Sequence, residues 1–160
     1  MDEWQGFFAA QLGASATLSG LILVGVSINL SKILSVPRLS DRALEALCLM
    51  LTVLIVSLLL LVPGQPVRLL GVEVLISGML AWATVTVIDV SIWRSIEDRY
   101  RRLVLVQLAL NQLSLVPYVI AGITIMLQGL VGLYWLVPAM LFSFIKAIVD
   151  SWVLLVEIDR

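Results

Sequence analysis

Four polar side chains stand inside otherwise apolar stretches of this chain: Asp89, Asn111, Lys146 and Asp150. The last two lie within "SFIKAIVDSW", residues 143–152, a cation and an anion one helical turn apart. Charged groups placed in such surroundings are costly, so they face a protein interior or a water-filled cavity and find partners there. Three kinds of chemistry fit them. They can form a buried network that fixes how helices pack. They can form a polar passage or a site for an ion, a proton or a lipid headgroup. Asp89 and Asp150 can also form a carboxylate pair of the kind used by intramembrane aspartyl proteases. Lys146 argues against the last reading, because a nearby cation keeps both carboxyls ionised instead of sharing one proton. The flanks "VIDVS" and "IVDSW" also lack the glycine beside the aspartate that such proteases carry. No zinc-binding helix, nucleophile elbow or phosphate loop is present, so the chain is expected to be non-enzymatic.

The elements that must position these residues follow from composition. Of 160 residues, 61% are hydrophobic and 13% charged, and the mean hydropathy is +1.10. A soluble domain carries about twice that share of charge. The chain therefore reads as one all-α, integral membrane domain over residues 1–160. There is no histidine and a single cysteine, Cys48, so no intrachain disulfide or thiolate metal cluster is expected, and no metal or cofactor. A formal net charge of −1 without a basic patch points away from nucleic acid. The opening "MDEWQGFF" has acidic residues where a secretory signal is basic, so the first apolar segment is expected to remain as a membrane anchor.

A crossing takes about 20 apolar residues, and five segments qualify, near 7–31, 43–62, 69–93, 103–127 and 131–157. "PGQP" at 63–66 breaks the chain between the second and third. A single helix over 103–157 would be on the order of 80 Å long, so the chain must reverse, and Gln128-Gly129 is the natural turn. Lys32, Arg38 and Arg42 in one loop, Arg94, Arg99, Arg101 and Arg102 in another, and Arg160 at the end fall on one side. The positive-inside rule makes that side cytoplasmic, with the N-terminus outside and the C-terminus inside. Trp4, Phe7, Phe8, Tyr134 and Trp135 form the outer aromatic belt, and Trp93, Tyr100 and Trp152 the inner one.

Helical spacing then sorts the faces. Trp82, Thr86, Asp89 and Trp93 share one side of the third segment. Gln107, Asn111, Ser114 and Tyr118 share one side of the fourth. Ala139, Ser143, Lys146, Asp150 and Glu157 do so on the fifth. Counting up from the inner ends brings Asp89, Asn111 and Asp150 to within about 6 Å in depth, with Lys146 one turn higher. The expected neutraliser of Lys146 is Asp150, Asp89, or both; Asp89 is attractive because a Lys-before-Asp order at i,i+4 is the weaker one within a helix. Glu73 stands apart near the outer end, within reach of headgroups or Arg68. Asn29 either joins the cluster or caps its helix. The first segment carries Ala9, Gly13, Ala16, Gly20 and Ser27 along one side. Gly13, Ala16 and Gly20 are thus expected to be a helix-packing surface, within the chain or between subunits.

The segments "EWQGFFAAQLGASATLSGLILVGVSINLSKIL", "SVPRLSDRALEALCLML" and "LLLVPGQP" resemble those of a family of short bacterial multi-span membrane proteins. Members of that family are sometimes labelled modulators of the membrane-anchored FtsH protease. The resemblance covers mainly the first 66 residues. It implies a bacterial inner membrane and a regulatory role toward a membrane protein partner, and assigns no site residue. The residues themselves favour an oligomeric channel or permeation-type protein, a homo-oligomer in the lipid bilayer. A regulatory or scaffold subunit is the second expectation.

Overall fold

The computed structural model describes residues 2–35, 39–95 and 101–158, all of them helix or short turn. Arg38, Arg99, Tyr100 and Arg160 of the expected basic loops and inner belt lie outside the described residues, as does the side chain of Glu157. Helix α1 spans Asp2–Ile28, α2 Leu30–Ser35, α3 Leu39–Leu60, α4 Val67–Ser95 and α5 Arg101–Gln128; a 3-10 segment covers Gly129–Trp135 and α6 Leu136–Ile158. Four helical stretches are long and apolar enough to cross a membrane: Glu3–Ile28, Leu39–Leu60, Val67–Arg94 and the 56-residue stretch Arg101–Val156.

The breaks have local causes. Gly64 in "PGQP" has φ +72 and Gly129 has φ +74, left-handed values that glycine adopts without steric cost. The reversal expected at Gln128-Gly129 is therefore present: the 3-10 segment and α6 both pack back against α5. The expected fifth segment differs at its start, where residues 131–135 are 3-10 rather than α-helix. Asn29 ends α1 and does not join the cluster. Its Nδ2 donates to the Gly25 carbonyl at 3.1 Å, and its own carbonyl accepts from Lys32 and Ile33.

Helices α3, α4, α5 and α6 form a closed ring, each packing against the next and α6 returning to α3. Its core includes Leu49, Met50, Val53, Val85, Leu115 and Tyr118. Helix α1 lies outside this ring, chiefly on α3. It docks through Phe8, Ser15 and Ile22, all buried, with Trp4, Leu18 and Val26 packed beside them. Spacings of seven, filled in by threes and fours, are the seam of a left-handed helix pair. At one end of the bundle Trp4 meets Tyr134 edge-on at 5.0 Å and stacks on Phe8 at 5.7 Å, so the start of α1 and the 3-10 segment share that end. Outside, Leu51, Leu80, Val87, Leu103, Leu127 and Leu155 are all exposed. An apolar surface this extensive is what acyl chains would cover.

The tightest helix contact is α4 against α5. A methyl placed on Gly122 would sit 2.6 Å from the Cα and N of Leu75, and one on Gly78 2.9 Å from Cβ of Tyr118. A methyl on Gly71, one heptad before Gly78, would lie 2.9 Å from the Met126 backbone nitrogen. Small residues let two backbones approach where lipid supplies no hydrophobic drive. The small residues of α1 behave otherwise. Gly13, Ala16 and Gly20 are exposed, and nothing lies within 4 Å of a methyl built on either glycine. Within this chain they pack against nothing; they form an outward face.

Candidate functional site

The sequence-derived cluster exists and is larger than expected. It sits toward the end of the ring that carries Arg42, Arg94 and Arg101. Helix α3 supplies Arg42 and Glu45, α4 supplies Asp89, α5 supplies Gln107 and Asn111, and α6 supplies Lys146 and Asp150. Antiparallel neighbours make this possible: the starts of α3 and α5 stand beside the ends of α4 and α6.

Lys146 is the hub. Its Nζ donates to Asp150 Oδ2 within α6 and to Glu45 Oε2 across the bundle at 3.3 Å. Glu45 Oε2 also accepts from Gln107 Nε2 at 3.0 Å and Asn111 Nδ2 at 3.3 Å. The same Asn111 nitrogen reaches both oxygens of Asp89, at 3.0 and 3.1 Å. Arg42 Nη1 lies 3.6 Å from Asp150 Oδ1. Burial is close to complete: Glu45 and Asn111 are 0% exposed, Asp150 1%, and Asp89 and Lys146 2%. Arg42, at 29% side-chain exposure, is the member that opens to the surface. Lysine's compact ammonium suits this place, because it presents three donors to acceptors that approach from different helices.

Two sequence expectations change here. Asp150 does neutralise Lys146, but Asp89 does not; the cross-helix partner is Glu45, and Asp89 is held by the Asn111 amide. Glu45 is not among the expected residues; it lies two residues inside the expected start of the most apolar segment. There it reads as part of the headgroup edge with Asp41 and Arg42. The helix in fact begins at Leu39, which places Glu45 two turns in and turned toward α6. The spacing of Arg42 and Glu45, three apart on one face, was the available signal. Glu73 does not pair with Arg68: Gln65 of the "PGQP" loop donates to its Oε2 at 2.6 Å.

Above the network the polar stripes continue as isolated bonds. Trp82 Nε1 donates to Gln112 Oε1 at 2.7 Å, a residue not foreseen as polar contact. Tyr118 Oη and Ser143 Oγ are 3.4 Å apart, and Ser143 itself donates to the Ala139 carbonyl at 2.8 Å. Beyond them the core is largely hydrocarbon, with Ser57 of α3 buried in it. A cleft of about 220 Å3 between α1 and α6 is lined by apolar residues such as Leu18, Ile22, Ile33 and Leu154 and includes no member of the network. Apart from Arg42, the members with charged side chains are thus enclosed within the one chain.

Chemically, the arrangement gathers three carboxyls, two cations and two amides in a space shielded from water. Such a network is costly to break, because removing one partner leaves an uncompensated buried charge. It can also hold, release or relay a small cation, since a single added positive charge changes its balance. No protein-family model matches this chain, and neither curated proteins nor solved structures yield a similar one.

Proposed function

We propose that this is a five-span, non-enzymatic protein of a bacterial inner membrane whose buried charged network serves the passage of a small cation. Its N-terminus lies outside and its C-terminus in the cytoplasm. The α5–α6 reversal supports two crossings for the last apolar stretch, and the Trp4–Tyr134 contact supports an odd total. The observation that carries the functional reading is the enclosure of Arg42, Glu45, Asp89, Lys146 and Asp150 at one depth inside the α3–α6 ring. Intramembrane charges of this kind mark ion pathways and proton relays. The path runs through the interior of one chain, between the network and the surface at Arg42, and homo-oligomers form around it through the outward face of α1.

The test is flux through purified protein in liposomes, driven by a proton or sodium gradient. Wild type carries the ion, and Asp89→Asn lowers the rate at least about tenfold, equivalent to roughly 1.4 kcal/mol on the barrier, while the protein stays folded. Equal rates in wild type, Asp89→Asn and empty liposomes exclude permeation.

A second reading, a regulatory or scaffold subunit, has its own observation: the uncovered small-residue face of α1. It expects silent liposomes and a co-purifying membrane partner that is lost in Gly13→Leu or Gly20→Leu.

A further inference from the structure

The charges of the network do not balance. Among the described residues the charged side chains that face it are Arg42 and Glu45 from α3, Asp89 from α4, and Lys146 and Asp150 from α6, with the Cys48 thiol of α3 near Glu45. Helix α5 contributes the neutral amides Gln107 and Asn111. The charges of α1, Asp2 and Glu3, lie at its opposite end. Three carboxyls thus face two cations. Glu45 and Asp150 each have a cation within ion-pairing distance; among the described residues Asp89 has none. An enclosed charge without a counter-charge is costly in a low-dielectric setting.

The acceptors do not balance either. Glu45 Oε1 and Asn111 Oδ1 are buried with no hydrogen-bond donor, and both residues are fully buried. They belong to side chains in direct contact, since Asn111 Nδ2 touches Glu45 Oε2. The unbalanced charge and the two acceptors without donors thus belong to the same network. Fully buried acceptors without a donor are rare, and a bound ion is one of the few things that satisfies them.

We infer that the network is a binding site for one small monovalent cation, a proton or an alkali ion, held by Glu45 and Asn111 and neutralising Asp89. Single charge follows from the count, because a divalent ion would overshoot it. Among the described residues no three carboxylates, histidines or cysteines converge as divalent metal ligands do. Arg42, exposed at one side and paired with Asp150 at the other, marks the side from which the cation enters. The inference deepens the permeation reading by naming the ion class, but the site stands without it.

The experiment is thermal unfolding of the detergent-purified protein, followed by tryptophan fluorescence. One series replaces choline chloride by NaCl at fixed ionic strength and pH. The other varies pH at fixed choline chloride. A ligand that binds only the folded state raises Tm with its concentration, by roughly 5–10 °C at a hundredfold excess over its dissociation constant. A sodium-dependent rise identifies an alkali ion; a rise on acidification with no sodium effect identifies the proton. Either response must vanish in Asp89→Asn, which removes the excess charge while retaining the side-chain shape, and weaken in Glu45→Gln. A wild-type Tm indifferent to both variables overturns the inference, as does a response that survives intact in Asp89→Asn. Cation-dependent stability without flux upholds the site and defeats the permeation reading; flux without it does the reverse.

Discussion

Replacing Lys146 by methionine is expected to destabilise the protein by about 3–5 kcal/mol, the range for breaking a buried ion pair by removing one partner. The side chain is 2% exposed and contacts Glu45 and Asp150. Methionine conserves much of the volume, so the loss reports on charge rather than on a cavity. Without the ammonium, three carboxyls face Arg42 alone, and Arg42 sits at the edge. Lys146→Arg should not restore stability, because the larger planar guanidinium has no room among partners already in contact. The carboxyl side behaves differently. Asp150→Asn leaves Lys146 its bond to Glu45 and brings the network to charge balance, so its cost is expected to stay near 1 kcal/mol. Thermal unfolding in detergent checks both: for a chain of this size 1 kcal/mol moves Tm by roughly 2–4 °C. The diagnostic result is the asymmetry. Equal losses for Lys146→Met and Asp150→Asn would mean that the excess negative charge has no energetic consequence.

The second large effect is expected at Gly122. A methyl there would lie 2.6 Å from the backbone of Leu75, and backbone cannot rotate aside as a side chain can. Gly122→Val must therefore separate α4 from α5, with the Trp82–Gln112 and Asn111–Asp89 bonds that join the same two helices. Overpacking typically costs 1–3 kcal/mol; against backbone the upper end, about 3 kcal/mol or more, is expected, read as a fall in Tm of roughly 10 °C. Gly20→Val is the control. Open space surrounds that position, so monomer stability should change little, and any loss would appear in oligomer size or partner recovery. If Gly20→Val unfolds the monomer while Gly122→Val does not, the helix arrangement described above is wrong.

These two sites mark where the sequence was readable and where it was not. Lys146, Asp150, Asp89 and Asn111 announce themselves because each interrupts a long apolar run, and an ion in such a run has few places to go. Their helical register and depth place them together without further information. Glu45 carries the same charge logic but lies near a helix start, where a carboxylate has a second plausible home at the headgroups. The glycines expose a deeper difficulty. In a soluble helix the apolar stripe points inward; here both faces are apolar, so hydrophobicity does not separate lipid side from protein side. Small residues were then the remaining guide, and they point in opposite senses. Gly13, Ala16 and Gly20 look outward, while Gly71, Gly78 and Gly122 lock α4 to α5. The inward seam of α1 is instead Phe8, Ser15 and Ile22, residues whose heptad spacing was visible but whose side could not be told from composition.

Glu45 and Lys146 are 101 residues apart in sequence and meet at 3.3 Å. The account rests on that meeting, because it ties two fully enclosed charges across the ring, deeper than the Arg42–Asp150 pair that joins the same two helices. A double-mutant cycle with Glu45→Gln, Lys146→Met and the pair measures it directly. If the two groups touch inside the bundle, the double variant, which has the same net network charge as wild type, will be more stable than the two single losses predict, by about 1–3 kcal/mol. Losses that add to within about 0.5 kcal/mol would show that Lys146 finds its partner elsewhere, and the enclosed cation site would fall with the contact.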